Sequence, residues 1–360
     1  MKRVFISDCE GPISKNDNAF EMTASFVPNG DRVFSLTSKY DDVLADVLKR
    51  PGYNSGDTLK LILPFLKAFN VTDEQMRDFS ASNLVLIADS RESLKHIRST
   101  SDAFIVSTSY EHYIRALCGA IGFPFKNTYC TRLSLNKYNL SERERLQLRD
   151  FAKKIAQKPI IRIPSSAKSI LDFSGEDRET IGWLDEVFWK DIPSMSIGKV
   201  LAEVTPVGGE QKAEAIRTVV KRLGVQLTDV IYVGDSITDV EAFKLVRDNG
   251  GITVSFNGNQ YAVRSAEIAI MSETNIVTAF VADLFSRFSK REVMDILQDW
   301  NCEALDTDLT SEFGAKRLSK ICPSAFPKVK IVTPENEKTL VQESSEFRKK
   351  VRGQAIGRLG

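Results

Sequence analysis

Arg3-Val4-Phe5-Ile6-Ser7-Asp8-Cys9-Glu10-Gly11-Pro12-Ile13 is the stretch whose reading decides the fold. Val4 to Ile6 is a short apolar run of the kind a buried strand carries. It delivers two carboxylates, Asp8 and Glu10, to the strand's C-terminal end, and Gly11-Pro12 breaks the chain out of the sheet. In open α/β sheets ligands sit outside the carboxyl ends of the strands, so acids placed there are positioned for chemistry. Taken alone, the stretch is equally a strand edge that ends in solvated acids.

Outward from that strand, the rhythm of a parallel sheet recurs in two further places. Ala103 to Val106 reads as a strand ending in Ser107-Thr108-Ser109, followed by a helix from Tyr110 to Ile121 that Gly122 closes. Gly208 to Lys212 opens a helix to Leu223. Val230 to Val233 then reads as a strand ending in Gly234-Asp235-Ser236-Ile237-Thr238-Asp239. Ile252–Ser255 and Glu267–Ile270 are two more short strands. Strands alternating with helices imply a doubly wound, Rossmann-like parallel sheet.

Two stretches interrupt the rhythm. Residues 14–85 read as a mainly helical insert, with Leu59, Ile62, Leu63 and Leu66 on one apolar stripe. Residues 137–205 read as a second insert, either a subdomain or an enlargement of the first, with a capping box at Ser141 and Glu144. The core is assigned to 1–13, 86–136 and 206–283. Residues 284–360 form a helical C-terminal extension that includes a helix over 312–320. The last residues, with Arg348, Lys349, Lys350, Arg352 and Arg358 and no acid, are expected to be a solvated or frayed tail.

Composition narrows the function. The chain has 360 residues and a net charge of +1, which favours neither a nucleic-acid partner nor a membrane surface. No apolar run reaches the roughly 18 residues a membrane span needs. Five scattered cysteines without a CxxC pair are expected to be reduced thiols in a cytoplasmic protein. His96 and His112 read as surface or packing residues, which disfavours a histidine zinc site or a Ser-His-Asp triad.

Four strand or helix ends therefore offer polar groups: Asp8 and Glu10, Ser107 or Thr108, Lys212, and Asp235 with Asp239. A parallel sheet can gather them at one edge. The set suits phosphoryl transfer, which needs an oxygen nucleophile, neutralisation of the phosphoryl oxygens and a proton for the leaving alcohol. Carboxylates from separate strands make a hard oxygen site suited to Mg²⁺.

In that order the residues resemble the haloacid dehalogenase (HAD) superfamily, nearest its phosphoserine-phosphatase-like branch. The similarity covers about 3–13, 86–132 and 206–275, roughly half the chain. The resemblance implies Asp8 as nucleophile and Glu10 as general acid/base with its backbone carbonyl on the metal. It implies Ser107 as the phosphate-binding hydroxyl, with Thr108 as the register alternative. It implies Lys212 on the nucleophile and phosphoryl group, Asp235 as direct Mg²⁺ ligand and Asp239 as its partner. The insert at 14–85 matches the family's mobile cap. Two departures stand out: Glu10 replaces the family's aspartate, and Ser107-Thr108-Ser109 replaces a Ser-Gly-Gly loop, so phosphoserine is not carried over as substrate. The opening run and long tail are also similar to archaeal HAD-like proteins found beside energy-converting hydrogenases.

The expected activity is Mg²⁺-dependent hydrolysis of a small phosphorylated metabolite through an aspartyl phosphate. The alternative is a HAD scaffold acting as an adaptor, docking a protein partner through the second insert and C-terminal helices. Phe20, Glu21, Met22 and Lys39 are candidates to line the pocket, or else packing and surface residues.

Overall fold

The computed structural model describes residues 3–164, 166–302, 317–319 and 326–359. Seven strands form one sheet in the order β3-β2-β1-β4-β5-β6-β7. They are β1 (Val4–Ser7), β2 (Asp102–Tyr110), β3 (Thr128–Thr131), β4 (Val230–Gly234), β5 (Ile252–Phe256), β6 (Ile268–Met271) and β7 (Lys328–Ile331). All pairings are parallel except β6 with β7. β1 lies between β2 and β4, with Val4 beside both Asp102 and Val230. The chain winds one way from β1 to β3 and the other way from β4 onward. The switch point, where such sheets open a crevice, falls at the carboxyl ends of β1 and β4.

Period-two alternation divides the strand residues between two apolar layers. Phe5, Ile105, Ile231, Val233 and Val254 face one. Val4, Ile6, Phe104, Val106, Val230 and Tyr232 face the other. Both faces are covered, so the strands are near-continuous apolar runs, as a buried parallel sheet requires. Each fully buried aliphatic or aromatic side chain contributes about 1.5–3 kcal/mol.

Two strands escaped the sequence reading. β3, Thr-Tyr-Cys-Thr, has no long apolar run, and it pairs with β2 across a register shift between Ser107 and Tyr110. β7 lies in the stretch expected to be wholly helical. Its Lys328 and Lys330 are exposed and Val329 is buried, the pattern of a charged sheet edge that discourages pairing with another chain. The expected helix at 312–320 falls largely outside the described residues, of which 317–319 are helical.

Residues 18–82 supply the helices Asn18–Phe26, Gly30–Asp42 and Asp73–Ser82, with shorter turns between them. Residues 142–203 supply Glu142–Gln157, Gly175–Glu186 and Lys199–Glu203. One apolar core joins the two stretches: Phe34, Tyr40 and Phe65 share it with Leu148, Ile155 and Phe188. The Tyr40 and Phe188 rings stack at 5.8 Å. Ile160–Ile163 adopts no regular structure.

Cys9, Cys118 and Cys130 are free and buried. Cys302 is disulfide-bonded, which corrects the expectation that all five thiols are reduced. Absence of a CxxC pair does not exclude a pairing across a long loop, and Cys322 lies outside the described residues. No helix among the described residues is long and apolar enough to cross a membrane.

Candidate active site

β1 ends at Ser7, and the next residue, Asp8, is tied to the neighbouring strand by its N–H, which donates to the Val233 carbonyl at 2.8 Å. The Cys9 N–H donates to Asp8 Oδ1 at 2.6 Å. Lys212, in the first turn of the helix Glu210–Leu223, reaches across and donates from Nζ to Asp8 Oδ2 at 2.6 Å and Asp239 Oδ1 at 2.7 Å. The lysine is fully buried. A buried ammonium is tolerated only when paired and hydrogen-bonded, and here two carboxylates do both.

Asp239 is fixed more tightly still. Tyr232 donates its hydroxyl to Oδ1 at 2.6 Å, and the N–H groups of Asp235 and Ser236 donate to Oδ2 at 2.9 and 3.0 Å. The Gly-Asp-x-x-x-Asp spacing thus closes a turn in which the second aspartate organises the loop that presents the first. A side chain at Gly234 would overlap the Asp239 carboxylate. Gly11 serves the same purpose from the other strand. It has φ +103, and a Cβ there would overlap the Asp235 carboxylate.

Asp8, Asp235 and Asp239 each offer an oxygen, and these lie within 4.8 Å of one another. All three residues are buried. Such oxygens suit a hard dication like Mg²⁺. Burial pushes the Asp8 carboxyl up to about 7, with Lys212 pulling it down and Asp239 and Asp235 adding to the rise. For Lys212 burial works against the charged form, but Asp239 and Asp8 outweigh it and hold the ammonium above its ordinary value. Asp239 is also desolvated, yet Lys212, Tyr232 and the Asp235 N–H bring it below the usual carboxylate range.

The hydroxyls after β2 separate cleanly. Ser107 Oγ is buried and donates to Ser109 Oγ at 3.2 Å, beside the cavity. Thr108 donates to the Val207 carbonyl at 3.1 Å, so its hydroxyl is engaged in holding the neighbouring loop. Glu10 also faces the cavity, but its Oε1 accepts the Asn18 N–H at 2.6 Å, at the start of the helix Asn18–Phe26. Burial and then Asp17 raise its carboxyl well above the ordinary value, against the Asn18 N–H, Ser109 and Arg352.

Asp8, Glu10, Ser107 and Asp235 line a cavity of about 100 Å³ between the sheet edge and the helical layer, with Lys212 and Asp239 behind them. The cavity has room for a phosphoryl group and a few waters. From the layer come Phe34, Ser38, Asp41 and Asp42. The residues first considered for this wall lie elsewhere. Phe20 and Lys39 face a separate groove with Ile160 and Leu359, Met22 is in the core, and Glu21 accepts from Asn16 at 2.8 Å. The helix Gly30–Asp42 carries Phe34, Ser38, Asp41 and Asp42 to the site.

The largest correction is at the C-terminus. Arg348 and Arg352, expected in a solvated tail, are buried in the cavity wall and both pair with Asp235 Oδ2, Arg352 at 2.9 Å. Lys350 is exposed and pairs with Glu273 at 2.7 Å, and the Arg358 side chain lies outside the described residues. A signal was present: Leu340, Ser344, Arg348 and Arg352 recur every four residues, and all four are buried on the helix Glu337–Arg352. Asp17, which joins the same wall, caps the helix Asn18–Phe26 by accepting from the Phe20 N–H at 3.0 Å.

A family model for haloacid dehalogenase-like hydrolases matches residues 67–283. The chain belongs to the haloacid dehalogenase-like hydrolases. Among solved structures, the AF1437 gene product of Archaeoglobus fulgidus is similar over 100% of this chain and 99% of its own, at 26% identity and TM-score 0.81. A substrate-bound phosphoserine phosphatase is similar over 76% of this chain and 95% of its own, at 14% identity and TM-score 0.46. No curated protein matches significantly. The family match spans Ser107, Lys212, Asp235 and Asp239; Asp8 and Glu10 lie upstream of it, and Arg348 and Arg352 downstream.

Proposed function

We propose that this hydrolase is a Mg²⁺-dependent phosphatase that cleaves a small phosphomonoester through an aspartyl phosphate on Asp8. The observation that carries the reading is Lys212, wholly buried and bridging Asp8 and Asp239 beside Asp235. A fold gains little from sealing a lysine among carboxylates; a site that must neutralise an incoming phosphoryl group gains much.

Asp8, Asp235 and the Glu10 carbonyl would hold the cation, with Asp239 behind them. The bound dication supplies charge neutralisation between an anionic nucleophile and an anionic ester. Asp8 Oδ forms a bond to phosphorus while the ester P–O bond breaks, and the leaving oxygen takes a proton from an acid on the cavity wall. Glu10 is the proton carrier this reading assigns, and its hold on the Asn18 N–H sets where that carboxyl sits. Water, giving a proton to the Glu10 carboxylate, then bonds to phosphorus as the P–O bond to Asp8 breaks, which releases phosphate and restores both carboxyls. Ser107 and Lys212 orient the phosphoryl oxygens, and Phe34, Ser38, Asp41 and Asp42 face the leaving group.

The test is phosphate release from a panel of phosphomonoesters with and without Mg²⁺. The wild type is expected to turn over at least one ester, with Asp8→Asn at least ~10³-fold slower. Folded protein that binds Mg²⁺ and hydrolyses no monoester refutes the reading.

A further inference from the structure

The helix Glu337–Arg352 docks along the sheet through its buried stripe. Leu340 packs with Val263, Ala269 and Met271, and Ser344 donates to the Gly258 carbonyl at 2.7 Å. The stripe ends in Arg348 and Arg352, which are 3% and 8% exposed. Arg348 Nη1 donates to the Asp235 carbonyl at 3.2 Å and also to Asp235 Oδ2. Arg352 Nη1 donates to the same Oδ2 at 2.9 Å. Arg352 is anchored further by the Lys15 carbonyl, at 3.0 Å from Nε, and by the Asn16 carbonyl. One carboxylate oxygen thus carries two guanidinium groups, and that carboxylate belongs to the cluster with Asp8 and Asp239.

We propose that the C-terminal helix is a built-in competitor for the divalent cation, in which Arg348 and Arg352 occupy Asp235 and are displaced when the cation binds. The inference rests on the reading of Asp8 and Asp235 as the cation site. Its physical basis is twofold. Asp235 Oδ2 already accepts from two guanidinium groups, so a dication on Asp235 would share that carboxylate with two positive charges. Two fixed positive charges a few ångströms from a dication also repel it strongly where water is excluded. Arg348 Nε is already buried without a hydrogen-bond partner, so the clamp leaves one of its own donors unpaid by any acceptor. Because the two events share Asp235, they are linked reciprocally. The cation weakens helix docking by the factor by which docking weakens the cation.

Arg348 and Arg352 are thus stand-in counter-ions: they neutralise the buried carboxylates while no cation is bound, and they raise the concentration at which Mg²⁺ takes the site.

The test is calorimetric titration of the full chain with Mg²⁺ alone, without substrate, for wild type, Arg348→Met/Arg352→Met, Arg348→Lys/Arg352→Lys and Asp235→Asn. The double Met variant is expected to bind Mg²⁺ at least ~10-fold tighter than wild type, because both repelling charges are gone. The double Lys variant is expected to stay within a few-fold of wild type, and Asp235→Asn to bind far more weakly. A second readout needs no variant: hydrogen exchange across residues 337–352 of the wild type is expected to speed up when Mg²⁺ is added. Unchanged or weaker binding in the double Met variant overturns the linkage alone. So does unchanged protection of that helix, which keeps the test decisive if the variants fold poorly. Absence of Mg²⁺ binding in every protein overturns the cation site and the linkage together.

Discussion

Replacing Lys212 by methionine keeps most of the side-chain stem and removes the ammonium. In the native protein that ammonium makes two charge-assisted hydrogen bonds, to Asp8 and Asp239, with all three groups out of water. Hydrogen bonds to charged groups contribute about 1.5–3 kcal/mol each, and removing one partner of a buried pair costs about 3–5 kcal/mol. Lys212→Met is therefore expected to lose about 4 kcal/mol at pH 7, measured by urea denaturation as a lower midpoint with an unchanged slope. The loss should depend on pH in a definite direction. Without the ammonium, Asp8 and Asp239 have raised pKa values when folded. The stability tied to their protonated forms is then complete below the unfolded carboxylate range and lost as pH rises through the raised values. The deficit against wild type should shrink between pH 7 and pH 5. Adding Asp239→Asn removes one stranded charge, so the double variant should be more stable than Lys212→Met alone. A loss under about 1 kcal/mol, or a double variant less stable than the single one, refutes the picture of a buried three-membered ion cluster.

Three further outcomes are expected. Gly11→Ala should cost at least about 2 kcal/mol, from the positive φ and from the displaced Asp235 carboxylate, and should weaken Mg²⁺ binding in the same calorimetric assay. Asp41 is held up to about 7, by burial first and by Asp42 and Asp57 as well, against the Tyr53 hydroxyl and the Gly56 N–H. Its neutral form is the one the fold prefers, so wild-type stability should fall by about 3 kcal/mol between pH 4 and pH 7 on this account. Asp41→Asn should flatten that part of the denaturation profile. Thr108→Val should lose about 1 kcal/mol with phosphate release intact, because its hydroxyl is engaged on the Val207 carbonyl, whereas Ser107→Ala should slow phosphate release.

The acid-rich edge was legible because its residues sit where local pattern is strongest. Val4–Ile6 and Val230–Val233 are uninterrupted apolar runs, and Asp8 and Asp235 follow them directly, so strand order alone brings them together. β3 and β7 were missed for a shared reason. Thr128–Thr131 and Lys328–Ile331 lie towards the sheet's ends, where neighbours rather than intrinsic pattern decide pairing. The common core of the two helical stretches was open in the sequence, because contacts such as Tyr40 with Phe188 leave no trace in either segment alone. Arg348 and Arg352 show the limit most sharply. A run of basic residues at a chain end reads as solvated until a partner is known, and the partner, Asp235, lies 113 residues from Arg348. Yet the four-residue recurrence from Leu340 already placed both arginines on the buried face of one helix. A cation on an apolar stripe must meet a carboxylate, and the acid-rich edge of the sheet was the place with carboxylates to meet. Charge read alone pointed to solvent; periodicity and charge read together point to the site.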